Sequence, residues 1–441
     1  MLSVLEFYSG IGGLHLALKR ANSTTCVKVL RAFDWDPSAS EVYSHNFGGG
    51  IVNRCDILSL NAIDLLPYEA DMWLLSPACQ PYTVLNPNAK GETDPRAKSF
   101  LHLMTSVLPE LVTQRKGPRC ILVENVAGFE TSTTRQVVLK TLESLQYYIS
   151  EFLLTPLQFG IPNSRLRYYL LARRDPFHFL PSEDIHSESD PRRSIPNEGP
   201  DWIDPRLQVD DSVNYSVLPL RNFLDEQDYP SSSSPYAIPK KILRSKHAPL
   251  FDIVKPCSTR TCCFTRGYTH MIEGSSILQQ AEDLDTTDTF NAYAIATASD
   301  ASHKDNNDPL ELLLSLHLRY FTPTELLRLF CFNLPPNRVL STGGPAAMMS
   351  SYEAYLSSSR SSTRDFTFPD TTSLKTRYRL IGNSVNVYVV SKTTNYEVSQ
   401  DTLRKMCLSD VSGYDILNGA VSGTPCIIDW SVPEFDIRFI F

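Results

Sequence analysis

The chain opens on an apolar run, a turn carrying three glycines and a helical pattern, all within its first twenty residues. Val4–Phe7 reads as a buried strand. In Tyr8-Ser9-Gly10-Ile11-Gly12-Gly13 the glycines let the backbone turn sharply and approach a ligand closely. Leu14–Arg20 then carries apolar residues at helical spacing. A strand–turn–helix start of this kind is the opening of an α/β sheet, and the pattern continues. Short apolar runs recur at Val29–Phe33, Met72–Leu75, Cys120–Val123 and Tyr168–Ala172, with a further helical pattern at Thr134–Leu145. Strands separated by crossover helices predict an α/β fold, a mainly parallel sheet with helices on both faces.

That rhythm holds over residues 1–175. Beyond it, to about Pro249, the chain is rich in Pro, Ser and Asp and reads as loops. A denser segment follows at Leu250–Gln280. Two polar stretches, Glu282–Asp308 and Gly343–Asp370, are expected to be surface insertions. Helical patterning returns at Thr322–Phe332, and an apolar segment at Tyr388–Val390. The expected organisation is therefore 1–175 as the first part of the α/β unit and 176–316 as a smaller region with irregular insertions. Residues 317–395 return to the α/β unit, and 396–441 form an extension of unassigned role.

Composition narrows the function classes. A net charge of −8 excludes a uniformly basic surface, so any phosphate-binding face is a local, salt-sensitive patch. No stretch approaches the roughly 18 uninterrupted apolar residues of a membrane span. No basic region precedes a long apolar run at the start, so no signal peptide is expected. The ten cysteines form no CxxC pair and no metal-ligand spacing; free thiols in a reducing compartment and no bound metal are expected.

Several residues fall where such a fold does chemistry. His15 stands at the third glycine position of a dinucleotide fingerprint, which suits the turn less well to a pyrophosphate. Asp34 ends the next strand, where an acid can hold the hydroxyls of a ribose; Asp36 is a substitute, and Asp56 could accept from an adenine amino group. Cys79 follows the strand Met72–Leu75 in the loop Ser76-Pro77-Ala78-Cys79-Gln80-Pro81. Glu124-Asn125 follows Cys120–Val123. Both lie at carboxyl ends of strands, where ligands bind in open α/β sheets. A thiol and a carboxyl converging there are a nucleophile and a general acid.

Taken in order, Phe7–Gly13, Pro77–Gln80, Glu124–Val126, Gly160–Arg167 and Gly382–Asn386 resemble the motifs of cytosine-C5 methyltransferases. Cys263-Phe264-Thr265-Arg266-Gly267-Tyr268 carries the Cys-Phe-Thr-x-x-Tyr signature of the branch that acts on tRNA. Gly160–Tyr169, Leu318–Pro323 and Arg377–Asn386 look like that branch too. The resemblance runs from about residue 4 to 395, with gaps at the polar insertions.

The resemblance implies a Rossmann-like, S-adenosylmethionine-dependent fold with a smaller target-recognition region at 176–316. It implies a cofactor held by Phe7, Tyr8, Gly10, Ile11, Gly12, Gly13, Asp34 and Asp56, and closed in by Asn383, Ser384 and Val385. It implies Cys79 as the nucleophile at C6 of cytosine, Glu124 on the base edge, and Arg165 and Arg167 on the nucleotide. Asn125, Cys263, Phe264, Thr265 and Tyr268 are expected on the substrate side. The cluster of Lys240, Lys241, Arg244, Lys246 and His247, with Arg260 and Arg266, is the candidate phosphate-contact surface. The implied substrate is tRNA, at cytosine 38 of the aspartate tRNA anticodon loop, with a monomer acting in the cytoplasm or nucleus. Two alternatives stay open. One is a DNA cytosine-C5 methyltransferase. The other is an RNA-binding scaffold with impaired chemistry, because Ala78 stands where the family has proline and Val84 where it commonly has arginine. A nicotinamide-dependent oxidoreductase is disfavoured by His15.

Overall fold

Met72–Leu75 is buried at every residue, as a strand covered on both faces must be, and it lies mid-way across a seven-stranded sheet. The computed structural model describes residues 1–21, 27–82, 94–174, 190–196, 217–226, 234–270, 274–299, 308–336 and 365–397. The sheet strands are β1 (Leu2–Phe7), β2 (Val27–Asp34), β3 (Val52–Arg54), β4 (Met72–Leu75), β5 (Cys120–Val126), β6 (Tyr148–Leu154) and β7 (Arg167–Arg173). Their order is β3-β2-β1-β4-β5-β7-β6. β1 is parallel to β2 and β4, β2 to β3, and β4 to β5. β7 runs antiparallel to both β5 and β6, so the sheet is mainly parallel.

All five expected strands form. β3 and β6 join them without having been expected. β3 is mostly exposed and lacks an apolar signal. β6 is interrupted by Glu151, whose carboxylate is paired with Arg135 at 2.6 Å and hydrogen-bonded by Tyr168.

Helix α1 (Gly13–Ala21) follows β1, and α2 (Pro37–Phe47) follows β2. Asp36 starts α2: its carboxylate accepts from the N–H groups of Ser38 at 2.9 Å and Ala39 at 3.3 Å, with Pro37 at the first helical position,. The helix Val387–Glu397 packs on α1 and against β5 and β7, which is how the distant return segment rejoins the sheet. Its Val387, Val389 and Val390 are buried.

A second, three-stranded sheet of β8 (Asp252–Val254), β9 (Ser276–Gln279) and β10 (Leu318–Arg319) has the order β10-β9-β8. The stretch Glu282–Asp308, expected as an irregular insertion, contains a helix, Thr286–Ser299, none of whose described side chains is buried. Met1–Ser399 form one compact unit. Val84, most of the second polar stretch and the extension from 398 lie outside the described residues. Among the described residues no helix is long and apolar enough to cross a membrane. None of their His, Cys, Asp and Glu side chains form a group of three or more that could hold a metal ion.

Candidate active site

The chain builds outward from β1 through β2 to β3 and then crosses to β4 on the other side of β1. The carboxyl ends of β1 and β4 thus flank a crevice where the strand order reverses, the position where open α/β sheets bind ligands. A cavity of about 810 Å³ opens there. Its walls include Tyr8, Gly10, Ile11, Gly13, Asp34, Asp56, Cys79, Glu124, Asn125, Arg165, Arg167, Asn383, Ser384 and Val385. Expected cofactor and catalytic residues from both ends of the sequence therefore face one space.

On the turn side, Asp34 organises the backbone. Its Oδ2 accepts from Gly10 N–H and its Oδ1 from Asp36 N–H, each at 2.8 Å. Burial pushes its pKa up, against these N–H groups, which favour the carboxylate,. Beside it the Trp35 indole is 75% exposed and lines the cavity. Ser9 Oγ, also in the lining, is buried with no hydrogen-bond partner among the described residues. Phe7 and Gly12, expected on the cofactor, do not line the cavity. The Phe7 ring stacks on Phe33 with centroids 5.1 Å apart. Gly12, at φ +88, packs against α2 so closely that a Cβ would stand 2.3 Å from the Phe47 ring. Both support the turn from behind.

On the catalytic side, Cys79 lies in a loop pinned at both ends. Ser76 N–H donates to Phe7 O at 3.3 Å, and Tyr82 N–H to Cys79 O at 3.0 Å. The Tyr82 ring is buried edge-on against Phe129, centroids 4.9 Å apart, and its hydroxyl donates to Thr134 at 3.2 Å. These contacts fix the loop even with Ala78 ahead of the nucleophile. Burial raises the Cys79 pKa; Arg167 and Arg165 oppose that shift and the Glu124 charge adds to it.

Glu124, 7% exposed, sits on β5 diagonally across from Arg167, because Val126 pairs with Arg167 in register,. Arg167 Nε lies 3.5 Å from Glu124 Oε1. Burial raises the Glu124 pKa, with Arg167 and Arg165 restraining it. Asn125 donates to Pro77 O at 3.4 Å, tying the strand of the carboxyl to the loop of the thiol. Arg165 is occupied by the scaffold: it donates to Phe264 O at 3.0 Å, Gly382 O at 3.2 Å and Ser384 O, and lies over the Phe330 ring at 4.7 Å. It lines the cavity while joining two remote segments to it.

The Cys-Phe-Thr-x-x-Tyr segment is placed differently from expectation. Phe264 and Tyr268 are buried, packed edge-on with centroids 5.1 Å apart, and do not reach the cavity. The Tyr268 hydroxyl donates to Ser276 O at 3.0 Å and accepts from Phe321 N–H at 2.9 Å. Cys263 lies behind the site, its sulfur 3.4 Å from an Arg165 nitrogen. Burial alone would raise the Cys263 pKa, yet the two arginines bring it below the ordinary thiol value. Thr265 meets Gly382 through its backbone, with carbonyl atoms 2.2–2.3 Å from where a Gly382 Cβ would stand. These residues hold Arg165 and the return segment in place. Lys240 and Lys241 are exposed on the short helix Lys240–Leu243 and do not line the cavity.

Trp35, Arg96 and Arg379 are among the lining residues that were not anticipated. Arg96 is held by Asp94 at 2.6 Å, and Asp94 also caps the turn at Arg96 N–H, so Asp94-Pro95-Arg96 was a readable start signal. Arg379 pairs with Asp36 across 343 residues; nothing local announces it.

Fold and site define an α/β methyltransferase architecture in which a cofactor turn, a thiol and a carboxyl share one cavity. The chain belongs to the C-5 cytosine-specific DNA methylase family, whose model matches residues 2–334, and it is an S-adenosylmethionine-dependent cytosine-C5 methyltransferase. A mouse protein named tRNA (cytosine(38)-C(5))-methyltransferase is 36% identical, covering 89% of this chain and 92% of its own. A Dictyostelium discoideum protein named DNA (cytosine-5)-methyltransferase is 31% identical, covering 90% and 94%. The crystal structure of the S. pombe Dnmt2 methyltransferase aligns with a TM-score of 0.63 at 32% identity, over 90% of this chain and 98% of that one.

Proposed function

We propose that this chain methylates C5 of cytosine in tRNA, at cytosine 38 of the aspartate tRNA anticodon loop, through a covalent bond from Cys79 to C6. The observation that carries the reading is the single cavity shared by the glycine turn, Cys79 and Glu124. The tRNA substrate is supported by the name and coverage of the mouse relative, and by the chemistry of a loop, whose bases swing out at less cost than those of a duplex.

The lining fits S-adenosylmethionine. Trp35 offers an exposed indole for an adenine, Asp34 an acceptor for ribose hydroxyls, and Ser9 an unused hydroxyl. The N-terminus of α1, with Gly13 in the lining, suits an amino-acid carboxylate. Asn383, Ser384 and Val385 close the site. The cofactor supplies a methyl group on positively charged sulfur. C5 of cytosine is a weak nucleophile, and addition of the Cys79 thiolate at C6 gives it enamine-like electron density. Arg167 and Arg165 favour that thiolate. Glu124, shifted by burial toward its neutral form, donates to the N3 edge and offsets the charge that develops there. After methylation, loss of the C5 proton to a base lets Cys79 depart. Lys240 and Lys241, outside the cavity, are assigned to the tRNA backbone. The chain is assigned to a monomer acting where tRNA resides, in the cytoplasm or nucleus.

The test is bisulfite sequencing of tRNA after reaction with the protein and with Cys79→Ala. Protection of cytosine 38 by the first alone is expected. Equal protection with both removes Cys79 from the mechanism, and full conversion with both overturns methylation at this position. A labelled methyl donor that marks duplex DNA and leaves tRNA unlabelled moves the substrate to the class named for the Dictyostelium relative.

A further inference from the structure

Tyr8 is held in the left-handed region, at φ +56, a conformation that a bulky side chain rarely adopts without compensation. Two hydrogen bonds accompany it, one to a residue before the nucleophile in the sequence and one to a residue after it. The Tyr8 carbonyl accepts from the Ser76 hydroxyl at 2.9 Å, three residues before Cys79. The Tyr8 hydroxyl donates to Ser99 Oγ at 3.0 Å, three residues after Arg96 and in the first turn of the helix Lys98–His102. Tyr8, Ser76, Cys79, Arg96 and Ser99 all line the cavity. One residue of the glycine turn thus ties to the segment that carries the thiol, Ser76–Tyr82, and to the later segment Asp94–Ser99.

We propose that Tyr8 is a positioning residue for the nucleophile: through Ser76 and Ser99 it sets the glycine turn and the Cys79 thiol as one unit, so that a ligand in the turn alters the reactivity of Cys79. A phenylalanine at this position would keep the ring in the cavity wall and lose the link to Ser99. The second half of the proposal rests on the reading of the cavity as the cofactor site; the tether itself does not.

The experiment measures iodoacetamide modification of Cys79 by mass spectrometry of the full chain, for the native protein, Tyr8→Phe, Ser99→Ala and the double variant. Loss of one hydrogen bond is expected to raise the Cys79 rate roughly two- to tenfold in each single variant. The double variant should react no faster than either, because both substitutions remove the same bond. Cys120, buried in β5, serves as the control for general loosening and should stay unmodified. Multiplying effects in the double variant, an unchanged Cys79 rate, or parallel exposure of Cys120 each overturn the tether. In a second arm, S-adenosylhomocysteine is added: it should slow Cys79 modification in the native protein and much less in Tyr8→Phe. Equal slowing in both overturns the coupling. If calorimetry finds no binding of S-adenosylhomocysteine to the native protein, the cofactor reading fails, while the first arm still decides the tether.

Discussion

Glu6 lies in β1 with no solvent exposure, and burial pushes its carboxyl up to about 8 from 4.5. The Tyr43 hydroxyl at 2.8 Å and the His15 N–H at 3.3 Å pull in the other direction, and the charge of Asp34 adds to the rise. Between those two pH values the folded chain keeps a proton that the unfolded chain has released. The unfolding free energy contributed by this group is therefore whole below pH 4.5 and falls by about 1.4 kcal/mol per pH unit until about pH 8. The integrated loss is about 5 kcal/mol at most. Glu6→Gln imitates the neutral acid: its amide donates toward Tyr43, and its carbonyl accepts from His15 N–H. Tyr43 can then donate to His15 Nδ1, 2.7 Å away, because burial, with Lys19 nearby, lowers that imidazole to about 3 and leaves it neutral. Urea unfolding of both proteins at pH 5, 6, 7 and 8 measures the effect. The two should nearly coincide at pH 5, and the variant should become progressively more stable toward pH 8. A constant offset at every pH, or a variant weakened throughout, refutes the buried-proton argument.

Glu124→Gln keeps the shape of the carboxyl but cannot present an acid proton to N3; kcat for methyl transfer should fall roughly 10²- to 10⁴-fold, and a loss under tenfold would remove the carboxyl from the chemistry. Because burial raises the Cys79 pKa against the pull of Arg167 and Arg165, its alkylation rate should keep climbing through pH 9. Arg167→Gln should lower that rate at pH 8, and a plateau below pH 8 in the native protein contradicts the assignment. Gly382→Ala would drive a Cβ into the Thr265 carbonyl. It should cost roughly 1–3 kcal/mol in thermal or urea unfolding, and a neutral result would show that the two segments are not packed as described.

Much of the site was legible because its parts are local. The turn Tyr8–Gly13 needs glycines for its own backbone, and Cys79 and Glu124 each follow an apolar run that marks a strand, so residue type and strand end appear together. Phe264 and Tyr268 were legible as a motif, but their role was not. A packed aromatic pair and a nucleotide contact use the same residue types, and only burial separates them. Trp35 and Arg379 were missed because an exposed indole beside an acid, or an ion pair spanning 343 residues, leaves no periodic trace.

The sequence by itself determined an α/β sheet, its glycine turn, and a thiol and a carboxyl at strand ends, since hydrophobic period and backbone freedom are properties of short segments. Only the tertiary structure decided the direction of β7. Tyr168–Ala172 reads equally well as a parallel or an antiparallel strand, because both bury the same apolar run. It runs antiparallel to β5 and β6. Its start therefore lies at the edge where the parallel strands end, and Arg165 and Arg167 arrive beside Glu124 and Cys79. Strand direction is set by chain closure and by pairing with both neighbours, energies that no single segment contains.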